Sequence, residues 1–231
     1  MIVDQSYFKN MRSEVAALVD ISAKSILDVG CGSGTLGTIL KSIDPSRKVT
    51  GIEADSNAAK EASTVLDKVI NADIESLNVP ASIGDFDCII FADILEHLKD
   101  PLSTLRKLEV HLKKDGFIVC SIPNTRHFTA FFHLLLNGWE YKDSGLFDRT
   151  HLRFFSLRSM KQLITDAGLT IELIRPKIEL NKLSKPLNLF GKSIDPIVLK
   201  TYSKTALLLN ILTLKIFEEF LTYQYLIRAK K

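Results

Sequence analysis

Residues 27–37 read LDVGCGSGTLG, an apolar run that leads directly into a cluster of glycines. The run predicts a buried β-strand, and the helical spacing of Thr35–Ser42 predicts an α-helix immediately after the cluster. Gly30, Gly32 and Gly34 lie at the junction, where glycine permits positive φ angles and lets the backbone approach a ligand closely. The stretch therefore predicts a strand–loop–helix unit with a ligand at the start of the helix.

Strands and helices alternate along much of the chain. Short apolar strands separated by helices are typical of βαβ units, so we predict an α/β fold with a parallel sheet. A chain of 231 residues has room for one such domain, and we treat 1–231 as a single domain. Two stretches, 126–153 and 177–220, interrupt the alternation and are predicted to be insertions that cap the substrate site. The predicted strands are 24–29, 48–53, 68–72, 86–91, 117–122 (after a turn at 115–116), 169–174 and 222–229, and the predicted helices are 10–20, 35–42, 57–66, 101–112 and 156–167.

Composition narrows the class of protein. The net charge is +3 and no block of Lys and Arg resembles a nucleic-acid-binding arm, so we expect no nucleic-acid partner. The three cysteines form no CxxC pair, which predicts reduced, buried thiols. The polar N-terminus has no apolar core of an export signal, so we expect a cytoplasmic protein.

Acidic residues follow the first strands at positions suited to a nucleotide. Glu53 ends the second predicted strand, 19 residues after Gly34, where a carboxylate can accept hydrogen bonds from both ribose hydroxyls of an adenosine. Asp28 precedes the first glycine and can face a ligand ammonium group. Asp73, followed by Ile74, comes at the end of the third strand, where a carboxylate can accept from an adenine amino group.

The glycine loop alone leaves two cofactors open. Residues 32–37 also match GxGxxG, the fingerprint of dinucleotide-binding proteins, so an NAD-dependent oxidoreductase is an alternative interpretation. Asp28, the additional Gly30 and the Asp73 segment favour S-adenosylmethionine instead. The sequence also has no recognisable Tyr-x-x-x-Lys pair for hydride transfer. A non-catalytic S-adenosylmethionine-binding protein is a third interpretation.

Five segments, LDVGCGSGTLG, GIEAD, NADIESL, FDCIIFADILEHLKDP and DGFIVCSIPN, resemble in order and spacing the motifs of class I S-adenosylmethionine-dependent methyltransferases. The resemblance covers residues 22–175, and the C-terminal strand more loosely. It implies a Rossmann-like seven-stranded sheet, mostly parallel, with helices on both faces and an antiparallel last strand. It also implies the roles of the site residues: Gly30, Gly32 and Gly34 for the methionine part, Glu53 for the ribose, Asp73 and Ile74 for the adenine, and Asp93 near the sulfonium.

The segment after the fourth strand carries further chemistry. Asp93, Glu96 and His97 have the spacing i, i+3 and i+4, which places them on one face if the segment is a helical turn. Two carboxylates and an imidazole on one face can hold a divalent cation or supply a general base. A capped loop with solvated charges is the alternative interpretation of the same spacing.

A second segment, DRTHLRFFS at residues 148–156, resembles bacterial methyltransferases of glycan and lipopolysaccharide pathways. The chain is also similar to ubiquinone-pathway O-methyltransferases and to small-RNA 3′-terminal 2′-O-methyltransferases, in which a Glu-x-x-Glu-His turn and a later His surround a metal. This sequence has Asp93 in place of the first Glu, one methylene shorter. The resemblance implies a metal site at Asp93, Glu96, His97 and His151, with Glu96, His97 and His151 as the catalytic candidates.

Two parts of the sequence bear on the substrate class: the segment after the fourth strand and the insertions. After the fourth strand, FADI stands where amide- and base-modifying relatives would carry Asn-Pro-Pro-Tyr, so we predict O-methylation of a small-molecule, glycan or lipid-linked acceptor. The segment 127–139 is strongly apolar and, if exposed, suits a hydrophobic acceptor or a peripheral membrane contact. The apolar residues of this segment are Phe128, Phe131, Phe132, Leu134, Leu135, Leu136 and Trp139. The sequence does not indicate an oligomeric state.

Overall fold

The computed structural model describes residues 12–178 and 216–231. Within them the chain forms a seven-stranded sheet in the order β3-β2-β1-β4-β5-β7-β6. The strands are β1 (Ser25–Val29), β2 (Lys48–Glu53), β3 (Lys68–Asn71), β4 (Phe86–Ala92), β5 (Leu112–Pro123), β6 (Thr170–Ile178) and β7 (Thr222–Lys230). The helices are α1 (Thr35–Ile43), α2 (Ser56–Ala62), α3 (Pro101–Glu109), α4 (Phe128–Asn137), α5 (Leu157–Asp166) and α6 (Ile216–Leu221), with 3₁₀ turns at Ala81–Ile83 and Leu95–His97.

The directions of the strands in the sheet are those that the resemblance implies. The strands β1 to β5 pair in parallel, whereas β7 pairs antiparallel with both β5 and β6. The sheet is therefore mostly parallel, and its last strand in sequence is inserted antiparallel. The carboxyl ends of β1, β2 and β4 consequently meet at one edge, where ligands of open α/β sheets bind.

Alternating side chains of the strands supply two cores, one on each face. Leu27, Ile89 and Ile118 pack with side chains of α3 and α5 on one face. Ile26 and Val49 pack on the other face with α1 and with the segment at 12–19. Both faces of the sheet are covered because each parallel strand presents apolar residues in both directions.

Several element boundaries differ from the sequence prediction. The helix α2 ends at Ala62 and α3 at Glu109, each three or four residues earlier than its apolar spacing predicts. The strand β5 begins at Leu112, so the predicted turn at 115–116 lies inside a register shift between β4 and β5. The strand β6 continues to Ile178 and takes the first two residues of the predicted insertion 177–220, most of which lies outside the described residues. Of the predicted helix 10–20, residues 10 and 11 lie outside the described residues; within the described part the helix covers 12–16 and does not continue to 20.

Candidate active site

The glycine loop has the left-handed backbone that its composition predicts. Gly30, Gly32 and Gly34 have φ angles of 70°, 53° and 83°. A Cβ on Gly30 would lie 2.8 Å from the side chain of Ile94, and a Cβ on Gly34 would lie 2.7 Å from that of Val65. A Cβ on Gly32 would meet nothing within 4 Å. Packing therefore requires two of the glycines, and the third borders open space that a ligand can enter.

The carboxylate of Glu53 reaches from the end of β2 to this loop. Its Oε2 accepts a hydrogen bond from the amide of Gly32 at 2.8 Å, and its Oε1 accepts one from the amide of Asp55 at 2.9 Å. A carboxylate has about four lone-pair sites, so it can accept further hydrogen bonds from hydroxyl groups. Glu53 thus orders the glycine loop and keeps acceptor capacity beside it.

Asp28 is a buried carboxylate at the end of β1. It is 1% exposed, and its Oδ2 has no hydrogen-bond partner among the described residues. Burial raises the pKa of Asp28 to about 7, an effect that the positive charge of Arg12 opposes and the negative charge of Glu53 reinforces. Arg12 Nη1 donates to the carbonyl of Ala92 at 3.0 Å, at the carboxyl end of β4. An uncompensated buried carboxylate in this position suits a cationic group of a ligand.

The segment after β3 offers one polar and one apolar group. Asp73 is exposed, and its Oδ1 accepts a hydrogen bond from the amide of Glu75 at 2.9 Å. Ile74 is 5% exposed, and Lys107 Nζ donates to its carbonyl at 2.8 Å, which fixes the segment against α3. Asp73 therefore stabilises its own loop through Oδ1.

Asp93 has a different environment from the one its spacing predicts. It is the only non-glycine residue in the described part of the chain with a positive φ, 55°, and the 3₁₀ turn begins only at Leu95. Its Oδ1 accepts hydrogen bonds from Ser121 Oγ at 2.9 Å and from Gln224 Nε2. The expectation that Asp93 shares a helical face with Glu96 and His97 is therefore wrong, because the left-handed residue interrupts the turn.

Glu96, His97 and His151 form a compact group. One ligand atom from each of them lies within 4.8 Å of the others, and the two imidazole rings are 4.7 Å apart in a T-shaped arrangement. Glu96 is 1% exposed, and neither carboxylate oxygen has a hydrogen-bond partner in the described part of the chain. Burial, reinforced by the negative charge of Asp93, raises the pKa of Glu96 well above its usual range. Burial also lowers the pKa of His151, with His97 adding to the effect.

Backbone hydrogen bonds bring His151 to the turn after β4. The carbonyl of Glu96 accepts from the amides of Leu152 and Arg153 at 2.8 and 2.9 Å. His97 Nδ1 lies 3.2 Å from the carbonyl oxygen and 3.0 Å from Oγ1 of Thr150. The segment 148–156, remote in sequence, is therefore fixed directly over the Leu95–His97 turn.

Three residues of the site are missing from the sequence prediction. Ser121 and Gln224 hold Asp93 from β5 and β7. Burial raises the pKa of both Asp28 and Asp93, and Arg12 lies close enough for its positive charge to oppose that rise. Ser121 and Gln224 do leave a signal, because each is a polar residue inside an apolar strand, and they are 0% and 2% exposed. Arg12 precedes the sheet and carries no comparable signal.

The helix α4 presents apolar side chains to solvent. Phe131, Leu134 and Leu135 are 55%, 53% and 67% exposed. Trp139 follows the helix, and its ring centroid lies 5.0 Å from that of Phe154; Phe154 lies 6.4 Å from His151. The partly exposed rings of Trp139 and Phe154 thus lead to His151 of the Glu96–His97–His151 group. Among the described residues, no helix has both the length and the apolar character to cross a bilayer.

Comparison with known proteins agrees with this geometry. Residues 4–174 match the model of a methyltransferase domain family. The chain is 30% identical over 184 residues to a ubiquinone biosynthesis O-methyltransferase of Paraburkholderia phymatum, covering 76% of this chain and 75% of that protein. It is 27% identical to an uncharacterised 37.1 kDa protein from a Streptomyces fradiae transposon, of which the match spans only 45%.

A solved structure shows the same fold. The plantazolicin methyltransferase BpumL in complex with SAH superposes with a TM-score of 0.60 at 17% identity, over 98% of this chain and 84% of that one. The chain belongs to the methyltransferase domain family. It is a class I S-adenosylmethionine-dependent methyltransferase, with S-adenosylmethionine as its cofactor.

Proposed function

We propose that this protein is an O-methyltransferase whose acceptor is a small molecule, glycan or lipid-linked compound with a hydroxyl group. The observation that carries the proposal is the Glu96–His97–His151 group beside the carboxyl end of β4. Hydroxyl oxygens are weak nucleophiles at neutral pH, and activating one needs a base or a cation at the reacting atom. The similarity to ubiquinone biosynthesis O-methyltransferases supports the same chemistry.

Cofactor binding follows from the residues around the glycine loop. S-adenosylmethionine supplies an electrophilic methyl group on its sulfonium sulfur. We assign the open space at Gly32 to the methionine part, Glu53 to the ribose hydroxyls, and Asp28 to the α-ammonium group. Arg12, whose guanidinium donates to the carbonyl of Ala92 at the end of β4, suits the α-carboxylate. Gly30 and Gly34 shape the loop, Asp73 and Ile74 border the adenine, and Asp93 lies near the sulfonium.

The chain's own residues can orient the acceptor and take its proton. The acceptor oxygen attacks the methyl carbon in line, so a C–O bond forms as the C–S bond breaks and S-adenosylhomocysteine (SAH) leaves. His151 is suited to accept the hydroxyl proton, because its lowered pKa keeps the imidazole neutral at pH 7. His97 is fixed by Thr150 and supports the orientation of that ring.

The same group also fits a divalent metal. Two imidazoles and a carboxylate suit Mn²⁺, Fe²⁺, Co²⁺ or Zn²⁺, and the unpartnered oxygens of buried Glu96 are consistent with a cation. Glu96, His97 and His151 would hold it, and it would lower the pKa of an acceptor hydroxyl. We retain Asp93 from the sequence prediction only as a neighbour, because it lies outside the group whose ligand atoms converge.

The exposed face of α4 favours an apolar acceptor or one carried on a lipid. Helix α4 lies within the insertion 126–153, which we propose borders the acceptor site together with 177–220. Its apolar side chains are exposed, and the rings of Trp139, which follows the helix, and of Phe154 lead from this part of the insertion to His151. Leu135→Lys should lower turnover of acceptors with long alkyl chains and vesicle binding, while SAH affinity stays unchanged. Equal vesicle binding and turnover in this variant would contradict the proposal.

The location of the protein is also a proposal. Cys31, Cys88 and Cys120 are all free and buried. Free thiols in the core are typical of a reducing compartment, which supports a cytoplasmic enzyme, with a peripheral membrane contact through α4.

Transfer of a labelled methyl group tests the function. The purified protein is incubated with S-adenosyl-[methyl-³H]methionine and paired acceptors that differ only in carrying a hydroxyl or an amine. We expect label only in the hydroxyl member and loss of transfer in His151→Ala. Label in the amine alone would contradict O-methylation. Binding of SAH without any transfer, even to an extract of cellular lipids and glycans, would favour a non-catalytic binding protein.

A further inference from the structure

Asp93 is held by neighbours on two other strands, and this arrangement bears on the metal site of the proposed function. Its amide donates to the carbonyl of Ser121 at 3.2 Å, and its Oδ1 accepts from the hydroxyl of Ser121 and the amide of Gln224. These hydrogen bonds stabilise a left-handed backbone that costs a non-glycine residue about 1 kcal/mol or more. The position of Asp93 is therefore imposed by β5 and β7, not by its own turn.

Gln224 is an unusual residue for its place in the sheet. It lies in the interior of β7, opposite Pro123 on β5 and Lys177 on β6, and is 2% exposed. Its Nε2 donates to Asp93, whereas its Oε1 is buried without a hydrogen-bond partner in the described residues. A buried amide with one unsatisfied end is destabilising relative to an apolar side chain. A side chain that costs stability and also holds Asp93 points to a role in the site.

We propose that Gln224 and Ser121 are positioning residues that keep Asp93 out of the metal's coordination sphere, so that Glu96, His97 and His151 alone hold the ion. This inference rests on the metal site described above. Asp93 is close enough to Glu96 for the two carboxylates to interact electrostatically. Its Oδ1 is held by Ser121 and Gln224, and its Oδ2, which is buried without a hydrogen-bond partner among the described residues, lies outside the group whose ligand atoms converge.

The number of ligands decides how the ion can be used. Three protein ligands leave positions free for the acceptor oxygen and water, whereas a fourth would close one of them. A second carboxylate would also add negative charge and favour harder ions such as Mg²⁺. Gln224 and Ser121 would thus preserve an open centre that prefers transition metals.

Direct measurement of Mn²⁺ and Co²⁺ binding by calorimetry tests the inference without an acceptor. We expect Glu96→Gln to weaken binding at least a hundredfold and Asp93→Asn to change it less than threefold. Gln224→Leu, a near-isosteric change, should tighten binding about tenfold by releasing Asp93, and Ser121→Ala should act in the same direction. Combining Asp93→Asn with Gln224→Leu should abolish that gain. Thr104→Val, which alters a buried hydroxyl on α3, is the control for general effects on folding.

The outcomes separate the inference from the proposed function. If Asp93→Asn weakens metal binding as strongly as Glu96→Gln, the metal site stands and the inference is wrong. If Gln224→Leu and Ser121→Ala both match the wild-type affinity, neither residue positions Asp93 and the inference is also wrong. If the wild-type protein binds neither ion, the metal site itself fails and the inference with it, whereas cofactor binding measured with SAH is unaffected.

Discussion

The backbone carbonyl of Glu96 accepts a hydrogen bond from the backbone amide of Leu152 at 2.8 Å, across 56 residues of sequence. Together with the bond from Arg153, it fixes the end of the insertion 126–153 to the turn after β4. His151, the residue before Leu152, therefore lies with its ring 4.7 Å from that of His97. Because backbone groups make this contact, side-chain substitutions in the Glu96–His97–His151 group should leave the segment in place.

Glu53→Ala should weaken SAH binding by about 1–3 kcal/mol, the usual contribution of hydrogen bonds to a charged group. The loss combines the ribose contacts with the ordering of the loop through the amide of Gly32. Calorimetry measures the affinity, and Glu61→Ala, an exposed carboxylate on α2, is the matched control. Unchanged affinity in Glu53→Ala would contradict its assigned role.

Gly32→Ala and Gly34→Ala should separate ligand binding from packing. Both residues have positive φ, so each substitution costs about 1 kcal/mol of backbone strain. At Gly34 the new Cβ would also lie 2.7 Å from Val65, so we expect a further loss of about 1–3 kcal/mol of unfolding free energy. At Gly32 it would meet no protein atom, and SAH affinity should fall more than stability. Urea unfolding and calorimetry on both variants test this; equal stability of the two would show that the contact at Gly34 relaxes freely.

Binding of SAH should weaken as the pH falls below 7. In the free protein, burial raises the pKa of Asp28 to about 7, and the ligand ammonium favours the ionised carboxylate. Below pH 7 the protonated group must lose its proton on binding, so affinity should fall by up to about tenfold per pH unit. Calorimetry between pH 5.5 and 7.5, in buffers of different ionisation enthalpy, should show proton release. Asp28→Asn should bind more weakly and with less pH dependence; an identical pH profile in the variant would assign the proton to another group.

His151→Ala should reduce turnover by about 100-fold or more if the imidazole is the general base, because positioned proton transfer contributes about 10²–10⁴ in rate. Chelation tests whether the Glu96–His97–His151 group also holds a metal ion. If EDTA lowers turnover and Mn²⁺ or Co²⁺ restores it, the group holds a metal ion. If turnover resists EDTA, the group acts as a general base without a metal. His111→Ala, a histidine between α3 and β5, is the matched control and should keep wild-type turnover.

Much of the fold could be predicted from local pattern. The strand β2 has the bounds 48–53 that its apolar residues predict, and α5 begins after the predicted N-cap, Ser156. Boundaries fail where tertiary contacts override local spacing. The helix α3 ends at Glu109 because the chain must turn to pair Leu112 with Phe86, and a run of apolar residues cannot encode that partner.

The candidate site also combines parts that local pattern predicts and parts that depend on tertiary contacts. The glycine loop, Glu53 and the Leu95–His97 turn could be located because each follows a strand, and the carboxyl ends of parallel strands share an edge. Asp93 could not be placed correctly, since its partners Ser121 and Gln224 come from β5 and β7, and its φ depends on them.

The sequence by itself determined the order of the elements, the glycine loop and the class of enzyme, because these depend on residues close together in the chain. Only the tertiary structure decided which of the four candidate residues converge: His151 lies with Glu96 and His97, as the resemblance implies, whereas Asp93 does not. That choice depends on hydrogen bonds from Leu152 and Gln224, residues 56 and 131 positions away from the groups they hold, and such contacts form only once the sheet has assembled.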